Sequence, residues 1–292
     1  MRKKRLLIKV ILTVVIGVVL LGSALAIWRV WEEQSKEYTT LEEMAYDKSG
    51  KKTFVYIREN GEYIPYQVME SDYGGNVLLF RKNVLPEKMP YRPSPYGEST
   101  TALSGGWAWH DYGSYYEESS IDEYLNTDFP KVFSSAVQEA IVTTTIEVTD
   151  MESYHQEHWA EATHSIERKV FLLSAVELGI TFGVNYNITR EGKTLKYFEN
   201  TEPFKLIDSA KPSIRRAYAA DGTAWPYWTR TPWIKETYTV VAIGAQLEFN
   251  SVTADATIGV RPAFCLEKDT AVRKSGSVIE GKTVYILEFD DG

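Results

Sequence analysis

The sequence predicts an α+β fold in which antiparallel sheets carry a few short helices. Three observations support this class. An Asn-Gly pair at residues 60–61 separates two strand-like runs, which is the strongest short signal for a β-hairpin. Boxes of Ser or Thr followed three residues later by Glu or Gln mark helix starts. Four strand-like runs follow one another closely after residue 226, which favours antiparallel pairing.

The strands begin with a predicted three-stranded meander. Its runs are TFVYIREN, EYIPYQVME and NVLLFR, and Gly74-Gly75 separates the second run from the third. Strand composition recurs downstream in TTTIEVT, KVFLL, YWTRT, YTVVAIGA, QLEFNSVT and GVRPAFCL.

Capping boxes place the predicted helices. The boxes pair Thr40 with Glu43, Ser120 with Glu123, Ser135 with Gln138, and Ser174 with Glu177. In the second box Glu123 is expected to complete the cap, while Asp122 interacts with the helix dipole. Because adjacent helical side chains point about 100° apart, these two carboxylates do not converge as a catalytic pair. We expect Ser120 and Glu123 to have structural roles.

The N-terminal segment has the composition of a membrane span. Residues 1–6 are basic, and an uncharged apolar run from Val10 to Trp28 makes roughly 28 Å of helix. We predict a signal-anchor helix over residues 7–30 that contacts the lipid bilayer, with the N-terminus cytoplasmic and the C-terminal part extracellular. The alternative is a signal peptide cleaved after Ala26, which would release a secreted protein. The anchor is favoured because the apolar run continues beyond that position.

The rest of the chain divides into a stalk and one domain. Residues 31–52 are polar and charged, and we predict a stalk there, followed by an extracellular domain over 53–292. Beyond the N-terminal basic residues the body carries 26 basic and 40 acidic residues, so nucleic acid is not an expected partner. The single cysteine, Cys265, lies in an apolar run and excludes an internal disulfide.

A long irregular region over residues 86–113 is rich in Pro, Gly, Tyr and Trp. Long loops of this kind often carry function. The candidate ligand-binding residues are Trp107, Trp109, His110, Tyr112 and Tyr115, together with Trp225 and Trp228 from TAWPYWTRTPW. The alternative is that these aromatics fill the space between loop and sheet. Strand packing suits Trp228 in particular, and Arg230 suits a buried, paired charge.

No cofactor and no metal site is predicted. His155, His158 and His164 are weak metal candidates, because the first two share a helical face but the spacing does not match HExxH. Motifs for phosphate binding, dinucleotide binding and serine hydrolysis do not occur in a usable context.

Three blocks in order carry a family resemblance. They are SSIDEYLNTDFPKVFSSAVQEAIVTTT, ERKVFLLSAVELG, and YWTRTP followed by IGVRPAFCL. Together with the meander they resemble a bacterial domain of unknown function, number six-two-seven-three in its series, over roughly residues 53 to 267. The chain departs from that pattern at Tyr124 and Thr229, where the family usually has Trp and Leu. We expect structural roles for Leu125, Asn126, Arg230, Arg261 and Pro262 within these blocks.

That family resembles the C-type-lectin-like fold shared with formylglycine-generating enzymes. The resemblance implies antiparallel sheets flanked by two or three short helices, with a long irregular loop region. Those enzymes use a cysteine pair, and this chain has only Cys265, so their oxidative chemistry does not carry over.

The functional expectation is therefore a membrane-tethered surface domain that binds a ligand without catalysis. A surface glycan, peptidoglycan and another protein are the ligand classes left open. An extracytoplasmic metal-dependent hydrolase using the histidines, or a structural component of the cell envelope, are the alternatives.

Overall fold

The structure is a computed structural model that describes residues 37–94, 113–150, 163–180, 188–199, 215–233, 238–245, 249–279 and 282–290. The chain divides into two units, Met1–Tyr38 and Thr39–Gly292. The second unit contains every element below. Within the described ranges, none of the helices has the length and apolar character needed to cross a membrane. The basic segment 1–6 and the predicted span 7–30 lie outside the described residues.

The second unit is mixed, with more strand than helix, which confirms the α+β class. The helices are α1 (Leu41–Met44), α2 (Tyr46–Ser49), α3 (Ser120–Thr127), α4 (Ser135–Ala140) and α5 (Lys196–Glu199), with a 3-10 helix at Phe129–Val132. The strands are β1 (Phe54–Glu59), β2 (Glu62–Tyr73), β3 (Asn76–Arg81), β4 (Thr144–Thr149), β5 (Thr163–Arg168), β6 (Val170–Phe171), β7 (Tyr227–Pro232), β8 (Thr239–Ile243), β9 (Phe249–Thr253), β10 (Ala263–Leu266), β11 (Val272–Ile279) and β12 (Lys282–Leu287).

The described strands form three sheets. The largest has the order β11-β12-β1-β2-β3-β10-β6, β4 pairs with β5, and β7, β8 and β9 form the third sheet. Strands β1 and β12 run parallel, whereas the other neighbours are antiparallel. The four predicted strands after residue 226 therefore divide between two sheets. Strand β10 belongs to the large sheet and not to the sheet of β7, β8 and β9, because it pairs with β3 on one side and β6 on the other.

Both predicted turns of the meander are confirmed. Asn60 and Gly61 have φ of 50° and 88°, and Glu59 lies opposite Glu62. A two-residue turn with both φ positive is the type I′ geometry that matches strand twist, and Asn-Gly suits it best. Gly74 and Gly75, also with positive φ, join β2 to β3.

Part of the predicted stalk packs in the second unit. Leu41 and Met44 of α1 are completely buried. The backbone also connects there, because Leu41 N donates to the carbonyl of Thr270 at 3.0 Å. Thr40 is the N-cap as predicted, but its side chain makes no capping hydrogen bond; instead Thr39 N and its hydroxyl donate to Glu43 Oε2 at 2.9 and 3.2 Å.

The caps of α3 and α4 lie one residue earlier than predicted. Ser119, not Ser120, caps α3, and its hydroxyl accepts from Asp122 N at 3.1 Å. Ser134 plays the same part for α4. Two adjacent serines stand at the start of each helix: the first has the extended backbone that a cap requires, with φ −70° and ψ 156° at Ser119, and the second is the first helical residue. Glu123 is therefore not the cap partner that the sequence suggested.

Aromatic packing fixes these helices against one face of the large sheet. The Phe133 ring lies 5.6 Å from Phe264 of β10 and 6.4 Å from Tyr66 of β2, measured between ring centres. Phe129 packs edge-on against Phe133 at 5.3 Å. These contacts join the segment after α3 to the core.

Candidate functional site

Most of the predicted ligand-binding residues cannot be placed. Trp107, Trp109, His110 and Tyr112 lie outside the described residues, as do the metal candidates His155 and His158.

Tyr115 and His164 meet at one carboxylate. Tyr115 Oη donates to Glu117 Oε2 at 2.7 Å, and Nε2 of His164 lies 2.9 Å from the same oxygen. Burial raises the pKa of Glu117, but the hydrogen bonds from Tyr115 and His164 outweigh burial and hold it below its usual value. Among the described residues there is no group of three or more potential metal ligands.

Trp225 and Trp228 occupy different environments. Trp228 is only 1% exposed, donates from Nε1 to the Met89 carbonyl at 3.0 Å, and packs edge-on against Tyr91. It therefore presents no face to a ligand. Trp225 is half-buried, and Lys88 Nζ lies 4.0 Å above its ring centre.

Asn126 connects α3 to the edge of the large sheet. Its Oδ1 accepts from Lys169 N and Val170 N at 3.1 and 3.2 Å, and its Nδ2 donates to the Val170 carbonyl at 3.0 Å. The neighbouring Asp122 accepts from Nε and Nη2 of Arg168 on β5 at 2.8 and 2.7 Å. Leu125 on the same helix is completely buried. Asp122 and Asn126 thus hold α3 against β5 and β6.

An acidic groove opens beside β4, with a volume of about 460 Å³. The end of β2, the middle of β4 and the segment 192–195 form its walls. Its charged lining consists of Glu70, Asp72, Glu147, Glu177 and Lys193. Carboxylates outnumber cations in this lining, so the groove offers mainly hydrogen-bond acceptors.

The floor of the groove contains a fully buried ion pair. Arg230 donates to both oxygens of Glu177, from Nη1 at 2.7 Å and from Nη2 at 2.8 Å. Its remaining donors reach the carbonyls of Leu172 and Glu147 at 2.8 and 2.9 Å. Tyr73 also donates to Glu177. A planar guanidinium satisfies this bidentate geometry, and the hydrogen bonds offset the cost of burying both charges.

The Ser174 and Glu177 box forms as predicted, but it encloses one turn and not a helix. Ser174 N donates to Glu177 Oε2 at 2.8 Å, and Glu177 N donates to Ser174 Oγ at 3.0 Å. The turn closes at Gly179, whose φ of 71° lets Ile180 N reach the carbonyl of Ala175. The predicted helix is therefore wrong, because a left-handed residue ends it after a single turn.

A second buried carboxylate lies beside this pair. Glu191 accepts hydrogen bonds from the hydroxyls of Thr149 and Thr231 at 2.7 and 2.6 Å. Burial raises the pKa of Glu191 to about 7, although Arg230 and the threonine hydrogen bonds oppose this shift. The next residue is Gly192, where a Cβ atom would lie 2.9 Å from Glu177 Oε1. Glycine is required there because its φ is +77° and the carboxylate leaves no space.

Glu70 lies at the rim of the groove and is half-buried. Burial raises its pKa from 4.5 to about 7. Because the folded carboxyl keeps its proton to higher pH than the unfolded one, the free energy of unfolding falls as pH rises from 4.5 to 7. We expect Glu70→Gln to reduce this fall by about 1 kcal/mol, a value discounted for partial exposure.

Urea unfolding at pH values below 4.5 and above 7 measures the fall in the free energy of unfolding. Glu139→Gln on the exposed side of α4 is the matched control and should leave the fall unchanged. A Glu70→Gln protein with the pH dependence of the parent would show that folding does not raise the pKa of this carboxyl.

The sequence did not indicate the groove. Its walls come from positions around 70–74, 145–147 and 192–195, which are far apart in the chain. The one local signal was Glu191-Gly192-Lys193, which is typical of a turn but does not identify its neighbours.

Comparison with known families identifies the domain. The model of the family Domain of unknown function (DUF6273) matches residues 74–268, which is 195 of the 292 residues. The match begins at the turn before β3 and extends just beyond β10. No curated protein and no solved structure matches the chain. The chain therefore belongs to the family Domain of unknown function (DUF6273), which confirms the resemblance seen in its sequence blocks.

Proposed function

We propose that the protein is a single-pass membrane protein of the cell surface that binds a ligand without transforming it. The apolar run before residue 30 and the basic residues ahead of it support the anchor and its orientation. The domain over 53–292 would then face the outside. A lectin-like arrangement of its sheets is part of this proposal, supported by the GVRPA block that leads into β10.

The acidic groove is the observation that carries the binding proposal. Glu147 is exposed on β4, and its Oε2 accepts from Gly192 N at 2.9 Å, which orients the carboxylate in the groove wall. Thr145 is exposed on the same strand, and Thr194 lies in the opposite wall. Fixed carboxylates and hydroxyls bind ligands rich in hydrogen-bond donors, and pre-organisation lowers the entropic cost of binding.

A glycan of the cell surface or cell wall suits this lining. Sugar hydroxyls donate to carboxylates, and amino groups on a sugar would also complement the negative charge. Two carboxylates of the groove already have cationic partners: Glu177 is held by Arg230, and Asp72 by Lys268 at 2.8 Å. Glu70 and Glu147 are therefore the side chains that we assign to ligand contact.

Binding of full-length protein, purified in mild detergent, to an array of surface and cell-wall glycans tests this assignment. For a glycan that binds, we expect Glu147→Gln to weaken affinity about tenfold, because a charge-assisted hydrogen bond contributes about 1.5 to 3 kcal/mol. Glu139→Gln should leave affinity unchanged. If no glycan binds, or if Glu147→Gln binds as well as the parent, the groove is not a glycan site. Recovery of a specific surface protein instead would assign the protein class of ligand.

A further inference from the structure

A polar cluster separate from the acidic groove lies on the face of the large sheet opposite α3. Gln67 of β2 lies opposite Phe80 of β3 and opposite Phe54 of β1. Directly opposed residues of antiparallel strands point to the same face, so these three side chains are neighbours. The guanidinium of Arg261 lies over Phe80, 3.7 Å from the ring centre.

Arg261 is a buried cation with no carboxylate partner among the described residues. It is 3% exposed, and it donates from Nε to the Arg81 carbonyl at 2.6 Å and from Nη1 to Tyr227 Oη at 3.5 Å. These bonds use only part of the donor capacity of a guanidinium. The adjacent Arg81 differs, because Glu59 accepts from its Nε and Nη2 at 2.7 and 2.9 Å.

Gln67 adds an unused donor to the same place. The residue is 1% exposed, and its Nε2 has no hydrogen-bond partner within the described part of the chain. Burial raises the pKa of the Tyr197 hydroxyl, and the nearby Gln67 side chain opposes this rise. The geometry between the two side chains does not, however, give Gln67 Nε2 a hydrogen bond. The electrostatic field of Arg261 also reaches the Tyr197 hydroxyl. A buried donor without an acceptor destabilises the folded state, so a natural protein rarely retains one without use.

Further cations surround this cluster. Arg215 is buried near Tyr227, and burial lowers the pKa of its guanidinium. Lys52, which is exposed, has its Nζ 5.6 Å from the Phe54 ring centre and 5.9 Å from that of Tyr197. Lys82 Nζ lies 5.6 Å from the same Phe54 ring. In a chain of net charge −8, this concentration of cations stands apart from the acidic groove.

We propose that Arg261, Gln67 and Tyr197 form a binding site for an oxyanion, a carboxylate or phosphate group of a small ligand. The guanidinium, the amide N–H and the phenol hydroxyl supply donors of the kind that oxyanions require. Lys52 and Lys82 lie beside the Phe54 ring of this cluster, where their charge would attract an anion toward it. The site is independent of the groove, which offers acceptors and would repel an anion.

Thermal unfolding of the full-length protein in sodium phosphate, sodium acetate and sodium chloride at equal pH and ionic strength tests the proposal. An anion that binds the folded state raises Tm in a saturable way. We expect phosphate or acetate to raise Tm above the value in chloride, and the responding anion identifies the phosphate or carboxylate class. Equal Tm in all three salts would overturn the proposal.

Gln67→Leu provides a specific signature. Removing the unpartnered amide should raise Tm in chloride, yet weaken binding of the responding anion about tenfold in calorimetric titration. Tyr197→Phe keeps the ring and should weaken binding about threefold even if Gln67→Leu does not fold. Lys193→Gln in the acidic groove is the matched control and should bind the anion as the parent does. Unchanged affinity in both Gln67→Leu and Tyr197→Phe would show that the anion binds elsewhere.

Discussion

Replacing Glu177 by leucine is expected to lower the free energy of unfolding by about 3 to 5 kcal/mol, the largest single effect that we predict. Arg230 is completely buried, and this substitution leaves its charge without the carboxylate that receives two of its hydrogen bonds. Tyr73 loses its acceptor at the same time. Urea unfolding monitored by tryptophan fluorescence measures the loss.

The double variant Glu177→Leu with Arg230→Met measures the energy of interaction between the two side chains apart from their contacts with other residues. Because a buried ion pair can be replaced by apolar side chains at little cost, the double variant should lose much less than the sum of the single variants. Lys131→Gln is the control, since its pair with Asp128 is largely exposed and contributes less than about 0.5 kcal/mol. Additive losses would contradict a coupled pair at the floor of the groove.

The second large effect concerns Asn126. Asn126→Leu is expected to cost about 2 to 3 kcal/mol, because the amide and carbonyl of Val170 both lose their partner while that residue stays buried. Leucine and asparagine have the same branched shape and the same number of non-hydrogen side-chain atoms, so the loss reports hydrogen bonds and not a cavity.

Native-state hydrogen exchange localises the Asn126 effect. The Val170 amide should exchange faster in Asn126→Leu than in the parent, beyond the change expected from global stability. Thr127→Ala is the control, because its hydroxyl is exposed and donates to the Glu123 carbonyl within the same helix. An unchanged Val170 amide would show that Asn126 does not hold the sheet edge.

Local sequence signals predicted local structure well. Asn60-Gly61 predicted a two-residue hairpin because few other pairs adopt positive φ at both positions. Serine boxes found the starts of α3 and α4 but missed by one residue, since Ser119-Ser120 offers two possible caps and the choice depends on the backbone entering the helix.

Local sequence signals could not predict which distant strands pair. The parallel contact between β1 and β12 joins residues near the two ends of the domain, and no local pattern specifies such a partner. The acidic groove has the same origin, because Glu70, Glu147 and Gly192 come together only in the folded sheet arrangement. Glu191 is charged and yet buried, which composition alone would not predict.

The family blocks identified the domain because they contain residues whose type is constrained by the fold. Arg230 and Asn126 have polar side chains whose partners are backbone groups of other segments, so their residue types are constrained by the fold. Residues constrained in this way give a sequence block its recognisable form.

Hydrogen exchange of the full-length protein with and without a bound glycan is the most direct test of the proposed binding site. The account predicts slower exchange in the bound state at residues 72–74, 145–147 and 192–195, which line the acidic groove. Glu147→Gln should abolish that protection at the same glycan concentration. Protection confined to the aromatic segment from Trp107 to Tyr115, with none at the groove, would contradict the account.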